Sequence, residues 1–284
     1  MFERMEFMGA RSSYGEAGVV LLGAPMDWTT SFRAGARHAP PAVRLVSQGL
    51  EEYSPYLDRD LGQCLFHDAG DLALPPGDVP ASLRNIADAA GRIIGDGKFP
   101  LLLGGEHLVT LPAVERAASR YPGLTVVHLD AHADLADDYM GLPLSHATVM
   151  RRVSELVGDG NVFQFGVRSC TRPEVEYARR HTRLAGPGLG ALIPSLEENL
   201  PHLKDRPVYV TLDIDVVDPA FAPGTGTAEP GGCTSRDVLT AVHLLGSLHL
   251  VGFDLVEVCP PYDQSQRTAL LAAEIVREVV LSRR

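Results

Sequence analysis

Four cysteines, Cys64, Cys170, Cys233 and Cys259, are too few and too scattered among 284 residues for a disulfide framework. None stands in a CxxC pair, so a zinc knuckle is excluded as well, and reduced, mostly buried thiols are expected. Long hydrophobic runs are also missing: no stretch approaches the roughly 20 apolar residues that a membrane helix requires. Residues 1–18 carry Glu3, Arg4, Glu6, Arg11 and Glu16, which leaves no apolar core for a signal peptide; a soluble, cytoplasmic protein is expected. Basic charge is in deficit. Lys and Arg number 25 against 36 Asp and Glu, a formal charge of −11, so nucleic acid and anionic membranes are repelled and a small cationic partner is favoured. Low-complexity linkers and internal repeats are absent too, and residues 1–284 are expected to fold as one domain.

What the chain does contain is a series of short apolar runs, at 19–23, 65–69, 100–103, 124–129, 162–166, 208–212 and 250–255. Each has the length and boundaries of a buried strand. Stretches with helical spacing lie between most of them, at 79–94, 111–121, 147–157, 174–181 and 235–248. Alternation of this kind predicts an α/β fold, a three-layer αβα sandwich around a central, mainly parallel sheet. Such folds place their chemistry outside the carboxyl ends of the strands.

Three of those ends are rich in acids and histidines. They read Gly104-Gly105-Glu106-His107, Asp130-Ala131-His132-Ala133-Asp134 and Asp213-Ile214-Asp215. If the backbone stays extended past Leu129, the period of two aims Asp130, His132 and Asp134 at one side, and the same geometry aligns Asp213 with Asp215. Carboxylates gathered at the ends of apolar strands are costly unless a cation neutralises them. With His107 the set holds four carboxylates and two imidazoles, enough for two ions, and its oxygen and nitrogen donors suit manganese better than thiolate-loving metals.

These residues carry a resemblance to a known family. The segments at 104–110 (GGEHLVT), 129–135 (LDAHADL) and 210–232 (VTLDIDVVDPAFAPGTGTAEPGG) resemble the arginase and agmatinase ureohydrolases, as do 23–44 and 252–263. The similarity spans nearly the whole chain. Within the family, GAPMDWTTS, EEYSPYLDRDL and PLSHAT look most like the bacterial agmatinases of the short type. The resemblance implies two Mn2+ per subunit and hydrolysis of agmatine to putrescine and urea, a step of polyamine biosynthesis, by a homo-oligomer, a trimer or hexamer. It implies that His107, Asp130, Asp134 and Asp213 hold one ion and His132, Asp130, Asp213 and Asp215 the other. His146 matches the family's catalytic histidine, Glu257 the glutamate facing the guanidinium, and Thr227 a residue near that group; Asp134 would orient the attacking water.

Two features bear on the substrate. The stretch between Asp134 and His146, which in arginases meets the substrate's carboxylate, offers Asp137 and Asp138 here, and acids at the pocket tail would repel a carboxylate and attract an amine. The chain also departs from the family at Ala147 and the following Thr148-Val149-Met150, a change expected to touch pocket shape. Hydrolysis of arginine or guanidinobutyrate, a non-catalytic metal-binding relative, and a single-zinc deacetylase on a similar fold remain as alternatives.

Overall fold

The apolar runs of the sequence become the strands of one sheet in a computed structural model that describes residues 5–185 and 192–283. In chain order the elements are β1 (Val19–Ala24), α1 (Ala39–Ser47), β2 (Tyr53–Ser54), β3 (Arg59–Asp60), β4 (Phe66–Asp71), α2 (Val79–Gly95) and β5 (Phe99–Gly104). There follow α3 (Thr110–Arg120), β6 (Thr125–Leu129), α4 (Val149–Val157), β7 (Val162–Phe165), α5 (Arg172–His181), β8 (Arg183–Leu184) and α6 (Leu192–Leu203). The chain closes with β9 (Val208–Asp213), α7 (Ser235–Gly246), β10 (Leu250–Val256) and α8 (Arg267–Ser282).

Eight strands form the sheet in the order β4-β1-β5-β10-β9-β6-β7-β8, and every pairing is parallel. β2 and β3 make a separate antiparallel pair. Parallel strands need crossovers, and the helices that supply them cover both faces. Successive strand residues alternate between the two sides: Leu101 and Leu103 join one apolar core with residues of α1, α6, α7 and α8, whereas Leu102 joins the other with residues of α2, α3 and α4. The sandwich is therefore three-layered, as the alternation of the sequence predicts.

All seven predicted strands and five predicted helices are found, with boundaries moved by a few residues. α1, α6 and α8 are additional. α8 has no apolar stripe to betray it, because it lies against α1 and α7 and most of its positions are buried. Among the described residues no helix is long and apolar enough to cross a membrane.

The order of the strands decides where chemistry gathers. β5, β10, β9 and β6 are adjacent at the centre, and their carboxyl ends deliver His107, Glu257, Asp213 and Asp130 to one crevice.

Candidate metal centre

His107 follows β5 after Gly104 and Gly105. A Cβ on Gly105 would lie 1.9 Å from the Met26 carbonyl oxygen, so only glycine lets the β1 and β5 ends approach this closely. The imidazole is buried, with Nε2 held 2.9 Å from Thr211 Oγ1, whose hydroxyl donates to Asp254 Oδ1 at 2.6 Å. Nδ1 is thereby turned toward Asp130 Oδ2, Asp134 Oδ2 and Asp213 Oδ2, at 3.1, 3.2 and 3.4 Å, and among the described residues it has no hydrogen-bond partner.

Asp130 reaches three imidazoles, His128 beneath it at 2.8 Å and His107 and His132 on the cavity side. Oδ2 faces His107, and Oδ1 accepts the His132 backbone N–H and lies 3.5 Å from His132 Nδ1. His132 Nδ1 is also 2.9 Å from Asp215 Oδ2, while Glu229 Oε1 stands 3.7 Å from the ring's far nitrogen. Asp213 turns Oδ2 to His107 and accepts the Asp215 N–H with Oδ1, capping a short 3-10 turn at Ile214–Val216. The sheet proper ends at Leu129, yet after a bend at Ala131 the backbone is strand-like again at His132, which makes a parallel bridge to Ser169. Asp134 closes the run with a left-handed φ of 54°, and its carbonyl accepts the Met150 and Arg151 amides at the start of α4.

Charge in this cluster is unbalanced. Burial, reinforced by Asp215 and Asp130, pushes Asp213 well above the carboxylate range, and burial with Asp130 raises Asp215. Burial would lower His107, yet the carboxylates of Asp130, Asp134 and Asp213 outweigh it and raise the imidazole well above its ordinary value. Four buried carboxylates around two imidazoles, one with an unpartnered nitrogen aimed at three oxygens, call for cations. The mixed oxygen and nitrogen donors, with Asp130 shared between His107 and His132, fit a pair of divalent ions.

A cavity of about 440 Å³ opens onto this cluster. His132, Asp134, Asp213, Asp215, His146, Thr227 and Glu257 all line it, with His107 and Asp130 deeper. Glu257 leaves β10 with a φ of 62°; its N–H donates to the Gly105 carbonyl and its Oε1 accepts the His107 N–H at 2.8 Å. Burial, then the neighbouring Glu106, pushes its carboxyl up to about 8. His146 donates its backbone N–H to Thr29 Oγ1 at 3.1 Å and presents its ring edge-on to Tyr139 with centroids 5.4 Å apart. Burial lowers its pKa.

Asp137 and Asp138 require a correction: neither lines the cavity. Asp137 faces Arg151 and Arg152, and Asp138 accepts the Gly141 N–H in a tight turn, so the acids serve the outer side of the loop. Ala147 does line the cavity, while Val149 packs into the core beside α3. Sequence reasoning missed four buried polar residues. Glu106 accepts from the Thr29 N–H and hydroxyl and from the Thr30 hydroxyl with Oε2, and burial lifts its carboxyl to about 7. Asp254 lies under His107, and His128 and Gln164 lie under Asp130. Glu106 and His128 adjoin the motifs and were visible in them; Gln164 and Asp254 sit inside apolar strands, where only the fold assigns them a partner.

An α/β sandwich that gathers such a cluster at its strand ends beneath an open cavity has the build of a hydrolase with a binuclear metal centre. The family model described as the arginase family matches residues 17–282. The agmatinases of Bacillus subtilis and Bacillus anthracis are each 48% identical over 97% of this chain and 95% of theirs. The crystal structure of the agmatine ureohydrolase of Thermoplasma volcanium superposes with a TM-score of 0.92 at 33% identity, covering 100% of this chain and 95% of that one. The chain belongs to the arginase family.

Proposed function

We propose that the protein is an agmatinase that hydrolyses agmatine to putrescine and urea with two manganese ions per chain. The observation that carries this reading is Asp130, whose two oxygens face the two imidazoles His107 and His132. Near full-length likeness to bacterial agmatinases supports the choice of substrate.

His107, Asp130, Asp134 and Asp213 would hold one ion, and His132, Asp130, Asp213 and Asp215 the other. Bound there, such ions acidify water so that a strong nucleophile is available at neutral pH. The chain's own groups do the rest. Glu257, at the cavity wall, pairs with the guanidinium and places its carbon for attack. Asp134 accepts a hydrogen bond from the attacking water and orients it. The water oxygen bonds to the guanidinium carbon, the bond from that carbon to the alkyl-bearing nitrogen breaks, and the two protons that the water gives up end on the departing amine nitrogen, with His146 as the shuttle. Urea and putrescine result.

The same reading takes residues 1–284 as one domain and the working form as a cytoplasmic homo-oligomer, a trimer or hexamer. Its test is urea release from agmatine by protein reconstituted with manganese, by the chelated protein and by Asp130→Ala. The reading requires activity in the first and none in the other two; urea from chelated protein or from Asp130→Ala would overturn it.

A further inference from the structure

His128 lies close enough to His107, Asp130 and Asp134 to be a further metal ligand. Its hydrogen bonds assign it another part. The ring is fully buried on β6, and its cross-strand neighbour on β7 is Gln164, also fully buried. Gln164 presents one side-chain atom to two partners, the Ala133 carbonyl oxygen at 2.8 Å and His128 Nδ1 at 3.0 Å. A backbone carbonyl can only accept, so that atom is the amide NH2. The other end of the amide, Oε1, lies 3.0 Å from Thr182 Oγ1, a hydroxyl that also faces the Ala178 carbonyl and can serve either orientation, so the Ala133 carbonyl decides the assignment.

The two hydrogens of the NH2 are therefore committed to Ala133 and to His128, and Nδ1 must accept. The ring's proton then sits on Nε2, which donates to Asp130 Oδ2 at 2.8 Å. A nitrogen that carries this proton has no lone pair for a metal, and the other nitrogen is spent on Gln164. Since Oδ1 also accepts the His132 backbone N–H, Asp130 is left with one lone pair on each oxygen for the cavity side.

We propose that Gln164 is a positioning residue of the metal centre: it fixes the tautomer of His128 so that His128 orients Asp130 and does not itself bind metal. This rests on the metal reading above. Gln164 touches neither a ligand side chain nor the substrate cavity; it reaches the site through His128 and through the Ala133 carbonyl between His132 and Asp134, and the proposal assigns its effect to the first route. An outer-shell partner of this kind is worth about 10- to 100-fold in metal affinity.

The experiment is a double-mutant cycle on manganese binding, with Gln164→Met, His128→Asn and the double variant titrated against a competing chelator. Ions bound per chain are counted, and the thermal midpoint of each metal-free protein is recorded. Each single variant should keep two ions per chain and bind them about ten-fold more weakly or worse; because each strips buried hydrogen-bond partners, the metal-free midpoint should fall while unfolding stays cooperative. The double variant should be no weaker than His128→Asn alone. Losses that multiply, or a Gln164→Met affinity equal to wild type, would overturn the proposal. If Gln164→Met does not fold, His128→Asn decides alone: two weakly held ions support a positioning role, and fewer ions make His128 a ligand and overturn it. Wild-type protein that binds no manganese would overturn the metal reading as well, which separates that failure from this one.

Discussion

Asp137 and Arg152 are paired, with Oδ1 of the acid 2.9 Å from Nη2 of the arginine, and the acid's side chain is 74% exposed. The charge that the sequence aims at the substrate is thus spent on the helix that follows. Asp137→Asn and Asp138→Asn should leave KM for agmatine within about two-fold of wild type, since exposed pairs contribute little. A rise of ten-fold or more would return these acids to the substrate site.

Thr29 links Glu106 to His146: its hydroxyl donates to Glu106 and accepts the His146 N–H. Thr29→Val removes both bonds without changing charge at the metal centre. Misplacing a proton donor by a fraction of an ångström should lower kcat by about ten- to a hundred-fold. KM, set by groups elsewhere in the cavity, should move far less. Steady-state kinetics separate the two; a rise in KM with unchanged kcat would show that Thr29 serves substrate binding instead.

Gly105 bears no side chain because the Met26 carbonyl occupies the space. Gly105→Ala should destabilise the fold by about 3 kcal/mol or more, as backbone on both sides would have to separate. Urea denaturation of the metal-free protein measures this. A loss below about 1 kcal/mol would mean that the turn before His107 yields easily.

Asp263 accepts from Ser265 and Thr268 just ahead of α8. Burial would raise its carboxyl, but those hydrogen bonds outweigh it and hold the folded value below the ordinary one. With the folded value depressed, the stabilisation is complete above an unfolded value near 4 and is lost as pH falls through the folded value. Asp263→Asn should be about 1 kcal/mol less stable at neutral pH, with the gap closing in acid. A gap that does not change with pH would remove the carboxylate from the account.

Much of this molecule is legible in its sequence, for reasons that particular residues make plain. Buried parallel strands announce themselves as apolar runs, and Asp130, His132 and Asp134 stand out because apolar strand ends rarely tolerate acids. α8 escapes because burial on nearly all sides erases its period, and α6 because Pro201 interrupts it. Asp137 misleads because sequence distance places it beside the cavity, whereas the direction of its side chain depends on Arg151 and Arg152 one element later. Gln164 is invisible for a similar reason: it is a polar residue in an apolar strand until the sheet register sets it opposite His128.

The most direct test of the account compares kcat/KM of the manganese-loaded protein for agmatine, arginine and 4-guanidinobutanoate, with urea as the common product. The account predicts that agmatine leads by roughly a hundred-fold or more, the scale on which a mismatched polar tail separates substrates. Arginine or 4-guanidinobutanoate turned over as well as agmatine or better, with Asp130→Ala inactive, would keep the metal chemistry and contradict the assignment of agmatine.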